Sequence, residues 1–197
     1  MRLAVTLALL MTSANLHAES LRILFVGNSL TYSNDMPAIV KALGKADGRM
    51  IDVSVAAYPN FSLEDHLADG RALKMLRKSK WDFVVMQQGP SAMPDSRELL
   101  IRDAVRMANA IRKSGATPVM LTVWPSMARA GDFDRVIESY RLAAEASGSL
   151  LVPAGESWKR TLERDPAAGL YRADGFHPSE AGSKLVAGVL YRALLAR

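Results

Sequence analysis

The chain has 197 residues, of which 49% are hydrophobic and 23% are charged, a balance typical of a soluble globular protein with one sizeable core. It contains no cysteine, which excludes disulfides, thiolate metal sites and a cysteine nucleophile. The formal net charge is +5, but the charged residues are scattered along the chain instead of forming a basic tail, so we expect no nucleic-acid partner.

The first 18 residues have the pattern of a secretory signal peptide. Arg2 gives a positive start, residues 3–11 form an apolar stretch, and residues 16–18 (Leu-His-Ala) resemble a cleavage site. The apolar stretch is about half as long as the ~20 residues that a membrane-spanning helix needs. We therefore predict cleavage after Ala18, a periplasmic or secreted location without a stable membrane span, and a single domain over residues 19–197. A retained N-terminal anchor is the alternative.

The first strand is predicted directly after this leader. Residues 21–26 are mostly apolar without helical spacing, and Gly27 ends the run, which together indicate a buried strand of a parallel sheet. Ser29 would then lie just beyond the carboxyl end of the strand, where ligands bind in open α/β sheets. The stretch lacks the further glycines or the Gly-Lys-Ser/Thr ending of a phosphate-binding loop. Two interpretations of this stretch are left: it presents a serine nucleophile, or it is a plain strand-to-loop turn.

The rest of the chain alternates between predicted strands and helices. Strands are predicted over residues 51–57, 81–86, 117–123 and 150–153. Helices are predicted over residues 38–46, 63–78, 94–113, 131–147 and 154–162, and an amphipathic helix ends near residue 195. This alternation predicts a parallel α/β sheet with helices on both faces.

Several polar and aromatic residues follow the strands. Gln87 and Gln88 come directly after the third strand, where their amides would either face a reacting carbonyl or satisfy loop backbone groups. Trp124 follows the fourth strand and would form either an apolar wall for a substrate or a cap over the core. Tyr32, which follows the first strand, is a second candidate for substrate contact. His66 is expected to be a surface histidine beside acidic residues.

A histidine and an aspartate lie close together before the last helix. Asp174 and His177 are three residues apart, so the carboxylate could accept a hydrogen bond from one imidazole nitrogen and leave the other free to take a proton. A serine hydroxyl needs such a base, because it is a poor nucleophile at neutral pH. Asp-x-x-His is a common pattern by itself, but it is much more informative in an α/β chain whose first strand ends in Gly-Asn-Ser-Leu.

These two stretches resemble the first and last sequence blocks of the SGNH (GDSL-like) hydrolase family. Residues 27–31 (Gly-Asn-Ser-Leu-Thr) match the first block, with Asn28 where many members have Asp, and residues 174–178 (Asp-Gly-Phe-His-Pro) match the last. The resemblance implies a three-layer α/β/α sandwich, flavodoxin-like, with a five-stranded parallel sheet. The α/β-hydrolase fold fits less well, since its Gly-x-Ser-x-Gly turn needs a glycine where this chain has Thr31.

The resemblance also implies the roles of individual residues. Ser29 would be the nucleophile, His177 the general base and Asp174 the acid that orients the base. No metal or organic cofactor is implied.

The two middle blocks differ from the family pattern, which bears on the oxyanion hole. The glycine that usually donates its N–H is absent from residues 58–62, so the Asn60 N–H would replace it. The usual Asn of the third block is absent too, and the amide of Gln87 or Gln88 would replace that donor beside the Ser29 N–H. Strand alternation would point the two Gln side chains to opposite faces, so only one of them is expected to serve.

The resemblance therefore implies a secreted serine hydrolase that cleaves carboxylic esters through an acyl-enzyme. A short-acyl ester or an acetylated carbohydrate is the expected substrate, which makes a small ester or an acylated glycan the expected partner. One alternative is an acyl transferase with the same Ser-His-Asp triad. The other is a non-catalytic glycan-binding domain of the same fold.

Overall fold

A computed structural model describes residues 20–195 of the chain, and the predicted signal peptide lies outside these residues. Within the described range, no helix is both long enough and apolar enough to cross a lipid bilayer.

The centre of the structure is a sheet of five parallel strands. The strands are β1 (Leu21–Gly27), β2 (Ile51–Ala57), β3 (Phe83–Met86), β4 (Thr117–Leu121) and β5 (Leu150–Val152). Their spatial order is β2-β1-β3-β4-β5, the order of flavodoxin-like sheets. The apolar residues of β1 between Ile23 and Val26 are fully buried, because helices cover both faces of the sheet. The predicted fold class is confirmed.

Eight α-helices connect or follow the strands in the described residues. They are α1 (Ser29–Tyr32), α2 (Met36–Ala46), α3 (Leu63–Asp69), α4 (Arg71–Lys78), α5 (Pro94–Lys113), α6 (Phe133–Ser147), α7 (Ala154–Arg164) and α8 (Glu180–Leu195). Helix α2 packs against α8, whereas α5 packs against α3, α4 and α6. Together with the sheet, these two groups of helices form three layers.

The single helix predicted over residues 63–78 is in fact two helices. Gly70 has φ +78°, a left-handed conformation that glycine adopts at little cost, and its N–H donates to the His66 carbonyl to end α3. Helix α4 begins at the next residue. The one-turn helix α1 was not predicted, although it positions the residue that the sequence singles out as a nucleophile.

Candidate active site

Ser29 is the first residue of α1, directly beyond the carboxyl end of β1. Asn28 caps this short helix, since its side-chain oxygen accepts the Leu30 N–H at 3.1 Å. The same oxygen accepts a hydrogen bond from Gln87 Nε2, and Asn28 Nδ2 donates to the Phe61 carbonyl at 3.0 Å. The side chain of Asn28 thus fixes the turn that presents Ser29.

The structure brings the three residues of the predicted triad together. His177 Nε2 lies 2.9 Å from Ser29 Oγ, and His177 Nδ1 lies 2.8 Å from Asp174 Oδ2. A carboxylate beside Nδ1 favours the tautomer with the proton on Nδ1, which leaves Nε2 free to accept the proton of the Ser29 hydroxyl. This is the geometry in which an imidazole acts as a general base toward a serine.

Asp174 stays ionised in this arrangement. Its carboxylate accepts the backbone N–H groups of Phe176 and His177 and a bond from the His177 ring, and these lower its pKa from 3.8 to about 2. Because the pKa is lower in the folded chain than in the unfolded chain, the carboxylate stabilises the fold above pH 3.8, and this contribution is lost as the pH falls toward 2.

Trp124 belongs to the core and not to a substrate wall, which corrects the first of the two interpretations of this residue. Its side chain is 1% exposed and stacks on Trp158, with 3.7 Å between the ring centroids. The indole N–H of Trp124 donates to the Phe176 carbonyl at 3.1 Å. Trp124 therefore holds the loop that carries His177 against the core.

Tyr32, the other candidate for substrate contact, is 40% exposed at the end of α1. It is not among the residues that line the cavity in which Ser29 lies.

Asn34 links the chain segment after Ser29 to the loop of His177. Asn34 Nδ2 donates to the Pro178 carbonyl at 2.9 Å and to Ser183 Oγ at 2.8 Å, and its Oδ1 accepts a bond from Arg172 at 2.6 Å. Its backbone is left-handed with φ +53°, a conformation that asparagine tolerates better than most residues. Sequence analysis missed this link, although Asn-Asp before Met-Pro was a signal for such a turn.

Ser29 opens into a cavity of about 290 Å³. Its lining includes Asn60, Phe61, Gln88 and Phe176. The backbone N–H groups of Ser29 and Asn60 donate to no other residue in the described part of the chain, so both are free to bind an oxyanion. Asn60 has φ +61°, a left-handed conformation that glycine and asparagine tolerate better than most residues. Asn60 can therefore take the place of the glycine that the family pattern has in this loop.

The structure separates the roles of the two glutamines. Gln87 is buried, and its Nε2 group donates to Asn28 Oδ1 at 3.0 Å and to Thr31 Oγ1 at 2.8 Å. Both of its amide protons are therefore used in hydrogen bonds to residues of the Ser29 turn, and Gln87 does not line the cavity. The expectation that Gln87 serves as an oxyanion donor does not fit this placement.

Gln88 points the other way and lines the cavity in which Ser29 lies. Its Oε1 accepts the Leu63 N–H at 3.0 Å, and its Nε2 donates to Ser91 Oγ at 3.1 Å. The amide group has a second N–H, for which the described residues provide no acceptor. Gln88 is thus the glutamine that could donate to an oxyanion.

His66 is fully buried, so the prediction of a surface histidine is wrong. The capping box of Ser62 and Asp65 begins α3 in a phase that turns His66 inward, against the rings of Tyr58 and Phe61. His66 Nε2 donates to the Gly27 carbonyl at 2.8 Å, which ties α3 to the end of β1. Burial lowers the pKa of His66, so it is a neutral structural support behind the Ser29 turn.

Metal ligands do not cluster in the described part of the chain: residues 20–195 contain no group of three or more His, Asp or Glu side chains arranged to hold an ion.

Comparison with solved structures identifies the family. A protein from Slackia heliotrinireducens described as a candidate SGNH hydrolase is 32% identical, with a TM-score of 0.75, and the match covers 89% of this chain and 99% of that chain. The chain therefore belongs to the SGNH hydrolase family. No protein-family model and no curated protein matches the chain.

More distant structures share the fold. A DUF4886 family protein from Bacteroides uniformis has a TM-score of 0.78 at 19% identity, and the match covers 91% of this chain and 84% of that chain. An acetylxylan esterase from Geobacillus stearothermophilus has a TM-score of 0.70 at 15% identity, and the match covers 88% of this chain and 94% of that chain. At such identities the likeness concerns the fold alone.

Proposed function

We propose that this SGNH hydrolase cleaves carboxylic esters with Ser29 as nucleophile, His177 as general base and Asp174 as the acid that orients the base. The observation that carries the proposal is the continuous hydrogen-bonded chain from Ser29 Oγ through the imidazole to the carboxylate. A non-catalytic glycan-binding domain would have no need of a serine hydroxyl aligned with an oriented imidazole.

The first half of the reaction forms an acyl-enzyme. Ser29 Oγ attacks the ester carbonyl carbon while His177 Nε2 takes the hydroxyl proton. The carbonyl oxygen becomes an oxyanion, which receives hydrogen bonds from the Ser29 N–H, the Asn60 N–H and the Gln88 amide. As the carbon–oxygen bond to the alcohol breaks, the imidazolium returns its proton to the leaving oxygen.

The second half of the reaction releases the acid. His177 removes a proton from a water molecule, the water attacks the acyl carbon, and Ser29 Oγ leaves and regains a proton from the imidazolium. Asp174 stabilises the imidazolium in both halves, since its pKa of about 2 keeps the carboxylate ionised near neutral pH. With a sugar or another alcohol as acceptor in place of water, the same steps would give an acyl transferase.

The cavity favours a short acyl group. Its volume of about 290 Å³ lies between short loops, with polar atoms of Ser62, Gln88 and Ser91 among its lining. An acetylated carbohydrate as the substrate is part of the proposal, and one protein of the same fold is an acetylxylan esterase. A periplasmic or secreted location, based on the leader sequence, is part of the same proposal.

Hydrolysis of p-nitrophenyl esters from acetate to octanoate tests the proposal. We expect the acetate or butyrate ester to be cleaved fastest, and Ser29→Ala to lower kcat by about 10⁴-fold or more. Ser79→Ala, at the opposite edge of the sheet, is the matched control and should leave the rate unchanged. A rate that persists in Ser29→Ala would refute the serine mechanism, and product analysis with a sugar acceptor would separate hydrolysis from acyl transfer.

A further inference from the structure

A second cavity adjoins the one that contains Ser29. It has a volume of about 560 Å³, roughly twice that of the first cavity. Pro90, Ser96 and Phe176 line both, so the two cavities are neighbours on one surface. The Phe176 ring also packs edge-on against the His177 ring, with 5.3 Å between centroids. The second cavity therefore begins beside the base that protonates the leaving alcohol.

The walls of the second cavity combine apolar and charged groups. Met93 is 52% exposed there, which is unusual for a large apolar side chain. Pyranose and furanose rings present C–H groups on their faces and hydroxyls at their edges, so they fit such a mixed wall better than a purely apolar or purely charged one. The apolar surface comes mainly from Pro90, Met93, Pro125 and Phe176, and the charges from Asp95, Arg129 and Asp132.

Arg129 is paired with Asp132 in the cavity wall. Its Nε and Nη2 atoms lie 2.7 and 2.6 Å from the carboxylate of Asp132, which is buried and also pairs with Arg135. Arg129 Nη2 further contacts Met93 Sδ at 3.8 Å, and Met93 lines the same cavity. Arg129 Nη1 has no acceptor among residues 20–195 and can donate to a ligand while Nε and Nη2 stay paired with Asp132.

We propose that the second cavity binds the alcohol part of the ester, that this alcohol is a sugar unit of an oligosaccharide, and that Arg129 donates hydrogen bonds to its hydroxyls. The inference rests on the proposed function, because Ser29 would cut the bond between an acyl group in the first cavity and the sugar in the second. The sizes agree with this division, since the larger cavity receives the larger group.

The experiment compares two substrates, one with and one without the sugar. Kinetic constants are measured for p-nitrophenyl acetate and for acetylated xylobiose with wild type and with Arg129→Met. We expect Arg129→Met to raise KM for acetylated xylobiose by about tenfold, the loss of one hydrogen bond to a charged donor, and to change KM for p-nitrophenyl acetate much less, because the p-nitrophenyl group has no hydroxyl for Arg129 to bind. Arg135→Met is the matched control, because Arg135 binds the same carboxylate without lining the cavity.

The outcomes of this comparison distinguish a failure of the sugar assignment from a failure of the proposed function. An equal loss on both substrates, or an equal effect of Arg135→Met, would show that Arg129 is merely structural and would overturn the inference. Cleavage of p-nitrophenyl acetate without cleavage of acetylated xylobiose by the wild type would overturn the sugar assignment and leave the esterase intact. Failure of the wild type on both substrates, with no acylation of Ser29, would overturn the proposed function itself.

Discussion

At the scale of single residues, Asn28 explains two departures from the family pattern together. Its amide accepts from Gln87 and donates to the Phe61 carbonyl, whereas the Asp of many family members could not donate to that carbonyl as a carboxylate. The Asn in the first block and the Gln in the third block are thus direct partners. Gly27 belongs to the same arrangement, since a Cβ there would lie 2.5 Å from Thr31 Oγ1.

The two glutamines should behave differently when they are replaced. We expect Gln88→Ala to lower kcat about 100-fold, because an oxyanion donor is lost. Gln87→Ala should instead lower the free energy of unfolding by about 1–3 kcal/mol, because Thr31 Oγ1 loses its donor and Asn28 Oδ1 keeps only the Leu30 N–H. Steady-state kinetics and urea unfolding of both variants provide the measurement.

Gln88→Glu is the control for this comparison. The carboxylate keeps an acceptor for the Leu63 N–H but has no N–H for the oxyanion, so kcat should fall at least as far as in Gln88→Ala. Unchanged kcat in both Gln88 variants would remove Gln88 from the oxyanion hole.

How well single residues can be predicted depends on how local their signals are. Ser29, Asp174 and His177 lie in two short blocks, so the sequence alone singles them out, and the structure places them in contact. The burial of His66 and Trp124 is harder to predict, because it depends on the phase of a helix and on packing across the core. The hydrophobic pattern of the sequence does not indicate that Trp124 stacks on Trp158.

At the scale of elements, the segment between β2 and β3 differs most from its prediction. The hydrophobic period continues through Gly70, so periodicity alone predicts one helix, and only the left-handed φ of that glycine divides it. Strands were easier, since β2 was predicted with the bounds that it has. Strand β3 begins at Phe83, two residues later than predicted, although the Asp82 N–H still donates to the Arg22 carbonyl.

The burial of His66 in α3 predicts a pH-dependent stability. Because burial lowers its pKa below the usual 6.5, the unfolded chain binds a proton that the folded chain does not, so stability should fall as the pH drops below 6.5. His66→Gln removes this titration and keeps an amide that can donate to the Gly27 carbonyl. Urea unfolding between pH 5 and 7.5 should show a smaller loss of stability in the variant than in the wild type, and parallel curves would contradict the account.

At the scale of the whole molecule, sheet topology creates the site. Ser29 and His177 are 148 residues apart in sequence but share a hydrogen bond of 2.9 Å. Ligands bind at the carboxyl edge of such sheets where the strand order reverses, here between β1 and β3, and this much follows from the fold class. The path of residues 165–179 cannot be predicted from the fold class, because it depends on specific contacts such as the hydrogen bond from the Tyr171 hydroxyl to the Pro125 carbonyl.

Two predictions about the whole chain rest on sequence alone. Residues 1–18 are predicted to be a signal peptide that is cleaved after Ala18, and residues 19–197 to form a single domain. Both stay predictions, since the leader lies outside the described residues.

Covalent labelling with a fluorophosphonate tests the central claim, that Ser29 is an activated nucleophile, most directly. The reagent forms a stable phosphonyl ester with an activated serine hydroxyl and releases fluoride. We expect the intact mass of the wild type to increase by one adduct, peptide mapping to place it on Ser29, and Ser29→Ala and His177→Ala to remain unlabelled. An adduct on another residue, or an unlabelled wild type, would contradict the account.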